Sequence, residues 1–185
     1  MDMPERYVSL KDYKLISEKN IKISKSFNAW GLNGVRIEEM DLIEENVLIR
    51  GDLNKVNIGI GTIIDSGTVL HNCLNSPNLP NEFKTLNIGS QCYIGKNCII
   101  SSRSIGNSVY IGKNCVLGER SEIGCCVKIL DDTYVPPDVR VPDHCVFGGN
   151  PGKILGEICE SFELWIDNFC SNFYTNLIIA NPGMA

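Results

Sequence analysis

Between Ile88 and Phe147 a large aliphatic or aromatic side chain returns every sixth residue, with one step shortened to five. The positions are Ile88, Ile94, Ile100, Ile105, Ile111, Leu117, Ile123, Ile129, Val135, Val141 and Phe147, and seven of them are followed directly by Gly. A period of six is neither the ~3.6 of a helix nor the ~2 of a lone strand, so it marks a repeated structural unit. Three hexads make a coil of about 18 residues with three flat sides, and coils stack through strand hydrogen bonds at about 4.8 Å. The segments Ile94-Gly95-Lys96-Asn97-Cys98-Ile99 and Ile111-Gly112-Lys113-Asn114-Cys115-Val116 are nearly identical and 17 residues apart, which predicts Ile111 directly beside Ile94. Asn at the fourth hexad position suits the left-handed backbone of a tight corner.

The pattern reaches back less regularly through Ile37, Ile43 and Ile49, then Ile58, Ile64 and Leu70. Residues 75–84 carry two prolines and three asparagines and break the period, which predicts a loop excursion between coils. About six coils then span residues 31–153, with residues 1–30 as an N-terminal cap. After Pro151-Gly152 the spacing changes: Ile158, Phe162, Trp165, Ile166, Phe169, Phe173 and Leu177 recur at three and four. That predicts an amphipathic helix over 154–179, its apolar stripe lying on a side of the prism. The fold class expected is all-β, a parallel solenoid with one C-terminal helix.

Net charge is -5, which argues against general nucleic-acid affinity. No run of 18 apolar residues is present and the N-terminus lacks an apolar signal core, so neither a membrane span nor export is expected. The nine cysteines are then expected as reduced thiols. Cys92, Cys98, Cys115 and Cys145 each lie four residues after a column aliphatic, which points them into the core as small hydrophobes.

The isoleucine-glycine hexads resemble the left-handed parallel β-helix of hexapeptide-repeat proteins, and the handedness is what that resemblance implies. Ile49-Arg50-Gly51-Asp52 followed by Val56-Asn57-Ile58-Gly59 is similar to the γ-class carbonic anhydrase-like branch. Ile111 to Gly118, Cys125 to Asp131 and the stretch from Val135 to Gly148 resemble the dynactin subunit 5 family, a similarity running from about Tyr7 to Phe173.

The γ-class resemblance implies three zinc-binding histidines, two from one chain and one from its neighbour. The matching positions here are His71, Lys96 and Ser101. One imidazole remains; a lysine must lose its proton before binding, and a neutral serine hydroxyl is a poor zinc ligand. No metal and no cofactor are therefore expected. His144, the other histidine, falls at an outward corner. Gly149-Asn150-Pro151-Gly152-Lys153 looks similar to a segment near the coenzyme A site of hexapeptide acyltransferases; loop 75–84 has no histidine to act as base, which leaves His71 just before it as the one candidate. Ending the prism is the plainer role for Pro151-Gly152. In the carbonic anhydrase-like family the pair matching Arg50 and Asp52 sits by the subunit interface, which makes these two interface candidates here.

The dynactin resemblance implies a non-enzymatic, cytoplasmic, cytoskeleton-associated subunit that supports dynein-driven microtubule transport through cargo-adaptor binding. Its implied partners are a subunit-6-like β-helix protein, the pointed-end actin-related protein, the large zinc-binding dynactin subunit and cargo adaptors. The competing expectation is a homotrimeric enzyme, γ-carbonic anhydrase-like or a hexapeptide acyltransferase.

Overall fold

A computed structural model describes residues 6–9, 12–16, 18–74 and 83–180. Most of loop 75–84 lies outside the described residues; its flanks meet in a bridge between Leu74 and Phe83. The rest is a triangular parallel solenoid of about six coils. Ile94 pairs with Ile111 as the 17-residue repeat predicts.

Every one of the eleven column residues from Ile88 to Phe147 is buried. They form three inner columns, one per face, that merge into a single core. Each buried aliphatic contributes on the order of 1.5–3 kcal/mol by area. The corners turn through left-handed residues, Asn97 and Asn114 at φ 56° and Gly67 at φ 74°. Gly95 is required for a second reason, since a Cβ there would sit 2.7 Å from the Gly112 backbone of the next coil. The buried cysteines also fill a polar need. Cys92 Sγ donates to Gly106 O and Cys98 Sγ to Gly112 O, both at 3.1 Å. Thr62 and Thr68 do the same job one coil earlier, reaching Gly89 O at 2.9 Å and Gly95 O at 2.7 Å. A thiol or hydroxyl here satisfies a carbonyl that the corner takes out of the strand ladder. All nine cysteines are free. Burial pushes the Cys92 thiol up to about 12, which makes it inert packing.

Inside, the three faces are alike; outside they differ. The first face has nine strands, from a hairpin (Tyr13–Ile16 and Ile21–Ser24) through the stacked coils to Cys145–Gly149 and the antiparallel strand Gly152–Glu157. Its outward stripe is Leu42, Ile63, Tyr93 and Tyr110. The helix α1, Phe162–Asn176, lies on it with Phe162, Ile166 and Cys170 buried. Tyr93 stacks on Tyr110 at 5.2 Å and meets the edge of Phe169 at 5.0 Å. The second face stacks Asn28–Trp30, Leu48–Arg50, Val69–His71, Ile99–Ile100, Val116–Leu117 and Tyr134–Val135. Its outward stripe, Leu48, Val69, Ile99, Val116 and Tyr134, is also apolar, but no described element covers it. The third face carries Arg36, Asn57, Asn87, Ser104, Glu122 and Arg140 outward. Those side chains pair along the stack, as in Asn57 to Asn87 at 2.8 Å and Arg140 to Glu122 at 4.0 Å, and suit a solvated surface.

The hexad periodicity leaves two boundaries displaced. Residues 154–179 are not one helix, because Gly152–Glu157 pairs back on Cys145–Gly149 and Leu177–Ala180 pairs in parallel with Arg6–Ser9. Within 1–30, Ile21–Ser24 and Asn28–Trp30 already stack on the next coil, so the solenoid begins inside the expected cap. The two chain ends hold each other. Lys22 Nζ donates to Tyr174 O at 2.6 Å and Leu177 O at 2.7 Å, a cation on the carbonyls at the C-terminal end of α1. Three buried carboxylates lie on or beside this covered face. Asp65 accepts from Tyr93 Oη at 2.7 Å, Glu44 from Tyr13 Oη, and Asp41 from the backbone N–H of Thr62 at 2.8 Å and Glu38 at 3.1 Å.

Candidate functional site

Four of the sequence-predicted residues, Arg50, Asp52, His71 and Ser101, gather along one edge of the bare second face. Stacking register puts Trp30, Arg50 and His71 in one column, and the pairing of Leu70 with Ile100 sets Ser101 beside His71. Ser101 Oγ and His71 Nε2 are 2.7 Å apart. His71 Nδ1 lies 3.2 Å from Asn72 O. A carbonyl only accepts, so Nδ1 carries the proton and Nε2 accepts from the Ser101 hydroxyl. The lone pair an imidazole offers to a metal is therefore occupied within the chain.

Lys96 is elsewhere. It occupies the corner that opens its strand, whereas Ser101 occupies the corner that closes it, with Asn97 to Ile100 between them. At strand rise that is on the order of 10 Å, so a single chain does not bring the three positions together. The donor set fails the zinc test on chemistry. It offers one imidazole already hydrogen-bonded, one hydroxyl and one ammonium, where catalytic zinc takes about three nitrogen or carboxylate donors. Among the described residues no group of three or more His, Cys, Asp or Glu side chains is arranged to hold a metal ion.

Above His71 the column continues with an ordered charge pair. Arg50 Nε donates to Asp52 Oδ1 at 2.8 Å and Nη2 to Oδ2 at 2.9 Å, a bidentate fork. That hydrogen bonding raises the Arg50 pKa and lowers that of Asp52. The guanidinium lies 4.4 Å from the centre of the Trp30 ring, which is 54% exposed. Gly31, at φ 67°, lets the chain turn there; a Cβ would come 2.6 Å from the Asp52 Cα. Sequence reasoning singled out Arg50 and Asp52 but missed Trp30. The signal was available, since Trp30 falls one stack before Arg50 in the irregular N-terminal coils. The bare stripe was also missed, because the hexad pattern draws attention to inward positions.

His144 sits at an exposed corner with φ 55°, remote from His71. The segment from Gly149 to Lys153 is the turn between the last two strands of the first face, and it ends the prism. Within this chain His71 belongs to another face and an earlier coil than that turn.

Comparison with known proteins completes the site. The family model of dynactin subunit 5 matches residues 1–181. Dynactin subunit 5 of Dictyostelium discoideum is 34% identical over 83 residues, covering 45% of this chain and 42% of the relative. The mitochondrial gamma carbonic anhydrase 2 of Arabidopsis thaliana is 23% identical over 166 residues, covering 90% of this chain and 58% of that one. The chain thus spans about half the length of these curated relatives. A hexapeptide transferase family protein of Anaplasma phagocytophilum superposes with a TM-score of 0.64 at 19% identity, covering 84% of this chain and 91% of that one. That likeness fixes the fold as the left-handed hexapeptide-repeat β-helix.

Proposed function

The chain belongs to the dynactin subunit 5 family, and from that premise we propose that it is a non-catalytic, cytoplasmic subunit of the dynactin pointed-end complex, supporting dynein-driven transport by holding partner chains and cargo adaptors. The observation that carries this reading is the corner where the related carbonic anhydrases would hold zinc. There His71 Nε2 accepts from the Ser101 hydroxyl, and the third matching position is a lysine. What remains is a rigid scaffold with fixed faces, the form in which repeat proteins serve as extended binding surfaces.

The partners that fit are a subunit-6-like β-helix, the pointed-end actin-related protein and the large zinc-binding subunit. We assign Arg50 and Asp52 to the contact with a partner, because the fork stacks on the exposed Trp30 ring. Trp and Arg are the side chains that most often dominate interfaces. Against the enzyme alternative stand the incomplete zinc donor set at His71, Lys96 and Ser101 and a loop 75–84 without histidine.

The test is affinity capture of the tagged full chain from its own cells with quantitative mass spectrometry, alongside metal analysis of the purified protein. Stoichiometric recovery of the actin-related protein and the other pointed-end subunits is expected, with zinc far below one ion per chain. A chain holding about one zinc, or turning over carbon dioxide, sinks the proposal.

A further inference from the structure

We propose that Cys98 and Cys115 are a latent disulfide, a redox-sensitive staple that hydrogen peroxide closes between two neighbouring coils beneath the bare second face. The two cysteines share a column at the corner between the first and second faces. Thr68, Cys98, Cys115 and Thr133 follow one another there. Val69 N donates to Cys98 O at 2.8 Å, and Ile99 N to Cys115 O and Val116 N to Thr133 O at 2.9 Å, which sets the register. Both thiols are buried. In-register neighbours stand about 4.8 Å apart, within the Cα separation of roughly 4.4–6.8 Å that a disulfide spans.

The stack sets this pair apart. Cys92 lies between Thr62 and Val109 in its column, and Cys145 lies beside Val127. Cys125 and Cys126 stack between Asn107 and Ser108 on one side and Asp143 and His144 on the other. Among the described residues no other two cysteines occupy neighbouring coils of one column.

At rest each thiol has its own acceptor. Cys98 Sγ donates to Gly112 O and Cys115 Sγ to Leu130 O, both at 3.1 Å. A hydrogen bond between the two side chains lowers the pKa of Cys115 and raises that of Cys98, while burial disfavours a thiolate at both. Cys115 is therefore the nucleophile, and Cys98 turns its proton from Gly112 O to support it. The Cys115 thiolate attacks one peroxide oxygen, the O–O bond breaks, and the departing hydroxide takes up a proton as water, leaving a sulfenic acid. Cys98 gives up its proton and attacks that sulfur. The S–O bond breaks and the hydroxyl leaves with the proton as a second water. Two thiols and one peroxide thus give one disulfide and two waters, the sulfurs oxidised and the peroxide oxygens reduced. The bond ties the coil of Ile99 to the coil of Val116, both in the bare stripe. It joins residues 17 apart in sequence, a constraint on the unfolded chain that outweighs two weak thiol donors.

Peptide mapping by mass spectrometry without reductant tests this on the full chain carrying Cys159→Ser, which removes the exposed thiol. Peroxide is expected to give a Cys98–Cys115 cross-link with unchanged circular dichroism and a higher melting temperature, and dithiothreitol to reverse both changes. Cys98→Ser is expected to collect oxygen adducts on Cys115, and Cys115→Ser to leave Cys98 unoxidised at the same exposure. Both variants keep a hydroxyl in a column where Thr68 and Thr133 already donate to the corner carbonyls Gly95 O and Leu130 O, so both are expected to fold. Free thiols at both positions under every exposure that preserves the circular dichroism overturn the proposal. So does a cross-link to a different cysteine, a cross-linked chain that melts lower, or adducts on Cys98 rather than Cys115.

Discussion

The first and second faces of the prism are built from one repeat and end differently. Both carry a fully buried inner column, Ile94 and Ile111 on one, Ile100 and Leu117 on the other. Both carry an apolar outward stripe. On the first, Tyr93 and Tyr110 stack under Phe169 of α1, and the chain satisfies its own surface. On the second, Ile99 stays open between Val69 and Val116, with Lys96 and Lys113 at the corner beside them. The hexad therefore determines the fold, and the residue before each column position determines what each face is for. A polar row such as Asn57 and Asn87 suits water, a row of aromatics suits a helix, and a flat aliphatic row flanked by charges suits another protein.

The largest expected contrast comes from cutting one outward residue on each face. Tyr93→Ala removes a buried ring held by three aromatic neighbours and a hydrogen bond to Asp65, so a loss of about 3–5 kcal/mol is expected. Ile99→Ala is expected within about 0.5 kcal/mol of the parent, as for other surface changes. Urea unfolding measures both. Equal losses would mean that the second face is covered in the isolated chain.

Inner positions should erase the contrast. Ile111→Ala and Leu117→Ala are both expected to cost about 2–5 kcal/mol, since stacked coils cannot collapse into the gap. The measurement is again the denaturation midpoint, and a loss below about 1 kcal/mol at either position would contradict its place in the column.

This division also explains what could be read from the sequence. The eleven regular column residues, the Ile94–Ile111 register and the inward cysteines were legible because burial repeats at a fixed interval. The helix was legible as a stripe, but its start was not. Ile154 looks like a helix residue by spacing, yet it pairs with Phe147, a contact set by the turn at Gly149 rather than by period. At the site, His71 and Ser101 were legible through the γ-class resemblance. The Ser101–His71 hydrogen bond joins residues 30 apart and follows only from stacking. Trp30 over Arg50 is likewise a contact between coils, legible only once the stacking of the irregular first coils is known.

A smaller effect separates the faces by pH. Asp41 is buried where the hairpin meets the first face, and burial, opposed by two backbone N–H donors, pushes its carboxyl up to about 8. An unfolded carboxyl loses its proton near pH 4 or so. Between those values the folded chain holds the extra proton, so stability is full below about pH 4 and falls as pH rises toward about 8. Asp41→Asn is expected to flatten that slope. Its single amide oxygen serves two N–H donors, so a loss of about 1 kcal/mol is expected at the acidic end. Thermal melts across pH distinguish the two; an unchanged slope would remove Asp41 as its source.

The smallest expected effect on stability falls at the edge of the bare face, and there it is informative by being small. Asp52 is exposed and Arg50 half-buried, and solvent screens a pair at the surface however good its geometry. Arg50→Lys keeps the charge but loses both the fork and the planar stack on Trp30. No resolvable change in the unfolding midpoint is expected from Arg50→Lys or Asp52→Asn, while recovery of pointed-end partners falls. If the midpoint drops and recovery holds, the column of Trp30, Arg50 and His71 braces the first coils instead of meeting a partner. The second face then keeps its apolar stripe for contact and loses this edge as its anchor.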